Sequence, residues 1–264
     1  MTPTRLGAVS YLNARPLVYG LDRRPDLFSL RFDVPSQCAA LLHEGRVDVG
    51  LIPAVEYLRG EYRIAPGVAV ASDGPVLSVA VYTTVPIERV ETLALDMSSR
   101  TSVALTRVLC ARRWGIAPRL TPADPDLRAM LARADAALLI GDPALYVDPA
   151  AHDATKIDLG AEWRALTGLP FVYAMWAGRD GALDPCRTAA LVAARDAGVG
   201  HLAEIAAEAT ANRPERRAMA EAYLRDNLRY ELGDSELAGL GRFHELVVEL
   251  GLAPGPRPLR FYHA

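Results

Sequence analysis

The chain has 264 residues, 51% of them hydrophobic and 23% charged, with a formal net charge of -3. That length supports one large domain or two small lobes, each with its own core. The near balance of charge, without any block of Lys or Arg, excludes nucleic acid and an anionic membrane surface as partners.

No apolar run approaches the roughly 18–20 residues that span a bilayer. The opening MTPTRLGAVSYLNARPL has neither the apolar core of a secretory peptide nor a lipoprotein-type Cys, so the expected location is the cytoplasm. Three cysteines, Cys38, Cys110 and Cys186, are an odd number without CxxC spacing, which argues against a disulfide framework or a zinc site. Cys38 and Cys110 fall within apolar helical patterns and are expected to be buried thiols.

Residues 4–9 read as a first strand that breaks at Ser10-Tyr11-Leu12-Asn13, ahead of a helical stretch opened by Pro16. Phe28 to Val34 alternates as a second strand. Ser36 is placed to cap a helix with Leu41 and Leu42 on its apolar face and Gly45 at its end. Val47 to Ile52 is a buried strand, followed by a helix from Pro53. Val76 to Val85 is the longest β-branched run. Leu93 to Asp96 is a strand, and Ser98-Ser99-Arg100-Thr101-Ser102 leads into a helix that closes at Gly115. Leu127 to Ala134 is helical, and Asp135 to Ile140 is a strand that stops at Gly141-Asp142-Pro143. Leu169 to Ala177 is another long apolar run. From Pro185 to Leu250 the chain is helical, and this tail is expected to pack back onto the first lobe.

Alternation of strand and helix predicts parallel sheets covered on both faces, with ligands at the carboxyl ends of the strands. Arg46 to Ile52 and Arg133 to Ile140 each pass from a helix end through an Arg-x-Asp turn into a buried strand, which fits two lobes of the same plan. The expected division is 1–82 with 175–264 for one lobe and 83–174 for the other. Val76–Thr83 and Phe171–Gly178 are then the strands that cross between them.

The sharpest local signal is Ser98 to Ser102. Four hydroxyls gather where a helix begins, and free backbone N–H groups and the helix dipole favour an anion there. A cap alone needs one hydroxyl. Arg100 is able to add a charge-assisted bond. Ser10 to Pro16 is the corresponding turn of the first lobe, where Asn13 can donate and accept, or simply form an Asx turn. Asp73 and Asp142 stand in Asp-Gly-Pro and Asp-Pro turns, which explains them without acid–base chemistry. The five histidines show no metal-ligand spacing, so no metal is expected. GxGxxG, GxxxxGK[ST] and GxSxG are all absent, which removes nucleotide cofactors and elbow-type serine hydrolases from consideration.

Several blocks in order resemble the chorismate dehydratase family of the alternative, futalosine-dependent menaquinone pathway. They are Val9-Ser10-Tyr11-Leu12-Asn13-Ala14-Arg15-Pro16-Leu17, Ser72 to Val79, Ser99-Arg100-Thr101-Ser102-Val103, Leu139 to Leu145, and Asp158 to Trp163 with Thr167 to Val172. The resemblance implies an α/β, two-lobed type II periplasmic-binding-protein-like fold with the ligand in the cleft, a helical C-terminal segment, and no cofactor. It implies chorismate as the small-molecule partner and loss of water to 3-[(1-carboxyvinyl)oxy]benzoate. It further implies Asn13 and Ser78 in the chemical step, with Ser10, Tyr11, Ser99, Arg100, Thr101, Ser102 and Asp142 binding the substrate. The sister enzyme that forms 1,4-dihydroxy-6-naphthoate, and a pure carboxylate-binding protein, remain alternatives at this point. The Ser-Tyr-Leu-Asn opening favours the dehydratase over the former.

Overall fold

The computed structural model describes residues 2–263. The strands and α-helices run in the order β1 (Thr4–Val9), β2 (Phe28–Asp33), α1 (Pro35–His43), β3 (Val49–Pro53), β4 (Arg63–Ser72), β5 (Val79–Thr83), β6 (Thr92–Asp96), α2 (Arg100–Leu109), β7 (Arg119–Ala123), α3 (Leu127–Leu131), β8 (Ala136–Ile140), α4 (Asp142–Tyr146), β9 (Thr155–Asp158), α5 (Leu159–Thr167), β10 (Phe171–Gly178), α6 (Pro185–Gly200), α7 (Leu202–Ala209), α8 (Arg217–Ala222) and α9 (Asp234–Glu249). Among the described residues, no helix is long and apolar enough to cross a membrane.

The strands form two five-stranded sheets, in the orders β2-β1-β3-β10-β4 and β7-β6-β8-β5-β9. In each, three strands run parallel and the fourth is antiparallel to both its neighbours. The two sheets therefore share one plan, and β3 and β8, the strands that follow the two Arg-x-Asp turns, occupy equivalent places. Every residue of β3, β8 and β10 is buried, as expected of inner strands covered on both faces. The edge strand β7 is largely exposed, which explains why its sequence carries no strand signal.

Neither long apolar run crosses between the sheets. β5 lies wholly in the second sheet and β10 wholly in the first. The chain passes over in residues 73–78 and again between α5 and β10, so boundaries at 82/83 and 174/175 divide strands. Strand character stops short of Val76 because Leu77 has φ 62, a left-handed conformation that breaks the run. The Asp158 carboxylate holds this kink, accepting from the backbone N–H of Val76 (3.0 Å) and of Leu77 (2.6 Å). Lys156 donates to the Leu77 carbonyl at 2.7 Å.

Other local expectations shift. Pro35, not Ser36, opens α1, since its fixed φ suits the first helical position. Pro16 lies inside a 3-10 stretch, Leu12–Val18, rather than at a helix start. β4 escapes detection because Pro66-Gly67 interrupts it, with Gly67 at φ 71. The tail does return to the first sheet: α6 packs on Leu12–Val18, and a Cβ on Gly198 would sit 2.1 Å from the Pro16 carbonyl oxygen. It also reaches further than expected, since α9 packs on both β10 and α2. Cys38 and Cys110 are buried free thiols, each pushed up to about 12 by burial.

Candidate active site

The two sheets meet at a narrow cleft with about 30 Å³ of free volume, well below the roughly 300–1,000 Å³ of an open small-molecule site. Its apolar wall includes Val9, Leu51, Val70, Val79 and Ile140. Its polar wall is Tyr11, Asn13, Ser99, Ser102 and Tyr173. No charged residue lines it among the described residues. Asn13 comes from the turn after β1, Ser99 and Ser102 from the start of α2 after β6, so both sheets offer their carboxyl ends to the same space.

Ser99 is the N-cap of α2, and its Oγ accepts from the Ser102 N–H at 3.4 Å and from the Ser102 hydroxyl at 3.2 Å. The cap and the cleft wall are thus the same pair of residues. The rest of this loop faces elsewhere. Thr101 Oγ1 is fully buried and accepts from the Val55 N–H at 3.1 Å. Arg100 donates to Glu56 at 2.7 Å rather than into the cleft. Burial alone would raise the Glu56 carboxyl. The His43 hydrogen bond and the charges of Arg100 and Arg59 outweigh that and hold it below the usual range.

Asp142 Oδ1 accepts from the Leu12 N–H at 3.0 Å, so it joins the second sheet's edge to the first lobe's turn. Burial raises its carboxyl, opposed by that bond and by Arg15. Tyr11 lines the cleft against Gly141, where a Cβ would stand 2.7 Å from its ring. Ser10 is exposed and opens instead onto a separate surface hollow with Arg15 and Glu204. Ser78 is buried behind the wall, its neighbour Val79 reaching the cleft, and its Oγ lies 2.6 Å from the Tyr223 hydroxyl.

The structure therefore brings Tyr11, Asn13, Ser99 and Ser102 together, sets Ser78 and Asp142 just behind them, and leaves Ser10, Arg100 and Thr101 off the wall. Sequence reasoning missed Tyr173 on β10, bonded to Ser72 Oγ at 3.0 Å, and Tyr223 from the tail. Tyr173 lay in a recognised apolar run, where a lone tyrosine invites the question of what its hydroxyl meets. Tyr223 lies 145 residues from Ser78 and carries no local signal. Asp96, at the end of β6, is also buried, its carboxyl raised by burial, with one oxygen taking the Ser98 N–H at 2.9 Å. Among the described residues, no group of three His, Cys, Asp or Glu side chains is placed to hold a metal.

A family profile described as menaquinone biosynthesis matches residues 4–249. The chain belongs to the menaquinone-biosynthesis family. It is 32% identical over 265 residues to a chorismate dehydratase of Thermus thermophilus, an alignment covering 94% of this chain and 96% of that one. Solved structures share the fold. Protein AF1704 of Archaeoglobus fulgidus superposes with a TM-score of 0.75 at 19% identity, over 95% of this chain and 98% of that one. The Candida albicans CA3427 gene product, described as having the generic periplasmic binding protein structural fold, gives 0.65 at 12% identity, over 97% and 92%. The menaquinone-biosynthesis member described above thus has the two-lobed periplasmic-binding-protein fold.

Proposed function

We propose that this member of the family is a chorismate dehydratase, a hydro-lyase that converts chorismate to 3-[(1-carboxyvinyl)oxy]benzoate for menaquinone synthesis by the futalosine route in the cytoplasm. The observation that carries the reading is an uncharged polar cleft wall built from Asn13, Ser99 and Ser102, in a chain 32% identical to a chorismate dehydratase along nearly its whole length. The lobes meet at 73–78 and 168–170, and the substrate lies between them.

The chemistry suits such a wall. The ring C–H beside the enolpyruvyl ether is conjugated through a double bond with the ring carboxylate, so its removal gives a delocalised anion. Expulsion of the neighbouring hydroxyl, which leaves with a proton as water, completes an aromatic ring. Aromatisation drives the reaction forward. The protein's task is to hold two carboxylates, orient the reacting bonds and exclude bulk water. Ser99, Ser102 and the start of α2 hold one carboxylate, and Asn13 faces the leaving hydroxyl. Asp142 stands behind the wall, with Oδ1 taken by the Leu12 N–H and Oδ2 without a hydrogen bond among the described residues. The base is either the substrate's own enolpyruvyl carboxylate or Asp142.

Incubating the pure protein with chorismate and following the product by chromatography and mass tests this reading. Loss of one water, with appearance of the benzoate, is the expected result. Chorismate that binds and returns unchanged would instead leave a carboxylate-binding protein.

A further inference from the structure

Two residues other than glycine have positive φ among the described residues, Leu77 at 62 and the exposed Asp153 at 50. Aspartate tolerates that region, whereas leucine is strained in it. Across Leu77 the Ser78 N–H donates to the Val76 carbonyl at 2.8 Å, which closes a γ-turn of the rare positive-φ form. Such strain persists only where the surroundings over-determine it. Here β9 supplies the surroundings. The Asp158 carboxylate accepts from the Val76 and Leu77 N–H groups, and the Lys156 ammonium donates to the Leu77 carbonyl at 2.7 Å. All four polar groups of the two peptides that flank Leu77 are thereby held.

Lys156 grips a second segment as well. Its Nζ donates to the Ala144 carbonyl of α4 at 3.1 Å, and the Tyr82 hydroxyl donates to that same carbonyl at 2.8 Å. The ammonium stands 5.6 Å from the centre of the Tyr82 ring. The two segments joined in this way are neighbours in the cleft wall. Val79 pairs with Ile140, both line the cleft, and the Gly141 N–H donates to the Ser78 carbonyl at 2.7 Å. Asp142 follows directly at the start of α4.

We propose that Lys156 is a positioning residue for the dehydration: it ties the strained turn at Leu77 to α4, and so sets where Ser78, Val79 and Asp142 stand against the substrate. The inference rests on the dehydratase reading. An ammonium has three donors and no acceptor, so it serves two carbonyls at once and competes for neither N–H. Asp158 fixes the N–H groups before the turn but not the carbonyl after it. Without Lys156 the Leu77 carbonyl has no partner, the turn relaxes toward negative φ, and the peptide between Leu77 and Ser78 rotates.

The test is steady-state kinetics with chorismate on wild type, Lys156→Met, Leu77→Gly and the double variant, with thermal melts on all four. Lys156→Met keeps an unbranched stem and removes the charge and the donors. It should lower kcat at least about tenfold with KM changed less than about threefold, as expected when a charged hydrogen bond that orders the site for the transition state is lost. Glycine adopts positive φ without strain. In the Leu77→Gly background the turn needs no holding, and Lys156→Met should lower kcat less than about threefold. Should Leu77→Gly alone have no measurable turnover, Leu77→Asn, which also tolerates positive φ, is the background in its place. Should Lys156→Met melt far below wild type, Lys156→Gln, uncharged but still able to donate to one carbonyl, is read instead, with the same dependence on residue 77. Wild-type kcat without the lysine, or equal fold losses in the two backgrounds, overturns the inference while leaving the dehydratase reading intact. Wild-type protein that leaves chorismate unchanged overturns the dehydratase reading, and the inference falls with it.

Discussion

Ser99 and Ser102 carry two duties that the residues between them do not share. They cap α2 and they line the cleft, while Thr101 and Arg100 bind the segment 54–59 of the first lobe. A carboxylate at this helix start would gain from the dipole and from any hydroxyl turned toward it. Replacing both Ser99 and Ser102 by Ala removes the cap and the hydroxyls together. Losing one hydrogen bond to a charged partner costs roughly 1.5–3 kcal/mol, so chorismate affinity should fall at least about tenfold by calorimetry. Thr101→Ala should instead register mainly in the melting temperature, because its oxygen serves Val55 and not the cleft. Unchanged affinity in the double serine variant would reduce the loop to a cap. The serine cluster was legible in the sequence as a candidate anion site. Which of its members face the cleft was not, because that depends on what the other lobe presents to each side of the helix.

At the scale of elements, the site depends on how closely the tail helices approach the crossover. Gly239 on α9 lies against Pro170, the residue before β10, where a Cβ would stand 2.0 Å from the carbonyl oxygen. The obstacle is backbone, so it cannot be relieved by a side-chain turn. Gly239→Ala should therefore destabilise the fold by about 1–3 kcal/mol, the usual cost of overpacking, although Ala is the better helix former by up to ~1 kcal/mol. Urea unfolding measures it, and a neutral or stabilising Ala would mean that α9 can move away from the crossover at no cost. The helices themselves were readable from composition. Their docking was not, since Gly239 looks like any helix-weakening glycine until Pro170 is seen beside it.

For the molecule as a whole, His244 ties the tail to the first lobe and gives the fold a pH dependence. Its Nε2–H donates to the Ala54 carbonyl at 3.0 Å, and burial lowers its pKa from the usual 6.5 to about 4. The unfolded chain thus binds a proton at a pH where the folded chain does not. The stabilisation is complete above pH 6.5 and is lost progressively as the pH falls toward 4. Each pKa unit is worth 1.36 kcal/mol, so this residue alone should lower stability by about 2 kcal/mol between pH 7 and pH 5. Urea midpoints at the two pH values, compared with those of His244→Gln, isolate the effect. Equal losses in the two proteins would mean that His244 already titrates normally in the folded state.

The sequence by itself determined the lobed α/β architecture, the duplicated β3 and β8 strands, the Asn13 turn and the serine-rich start of α2. These rest on local periodicity, turn residues and caps, which act over a few positions and leave a readable pattern. Only the tertiary structure decided that β5 and β10 stay within single sheets, that Arg100 is taken by Glu56, that Ser10 faces away from the cleft, and that Ser78 lies beneath Tyr223. Each of these turns on a partner distant in the chain. A hydrogen bond or an ion pair is satisfied by whichever group the packing brings within reach, and the spacing of residues along the sequence does not encode that group.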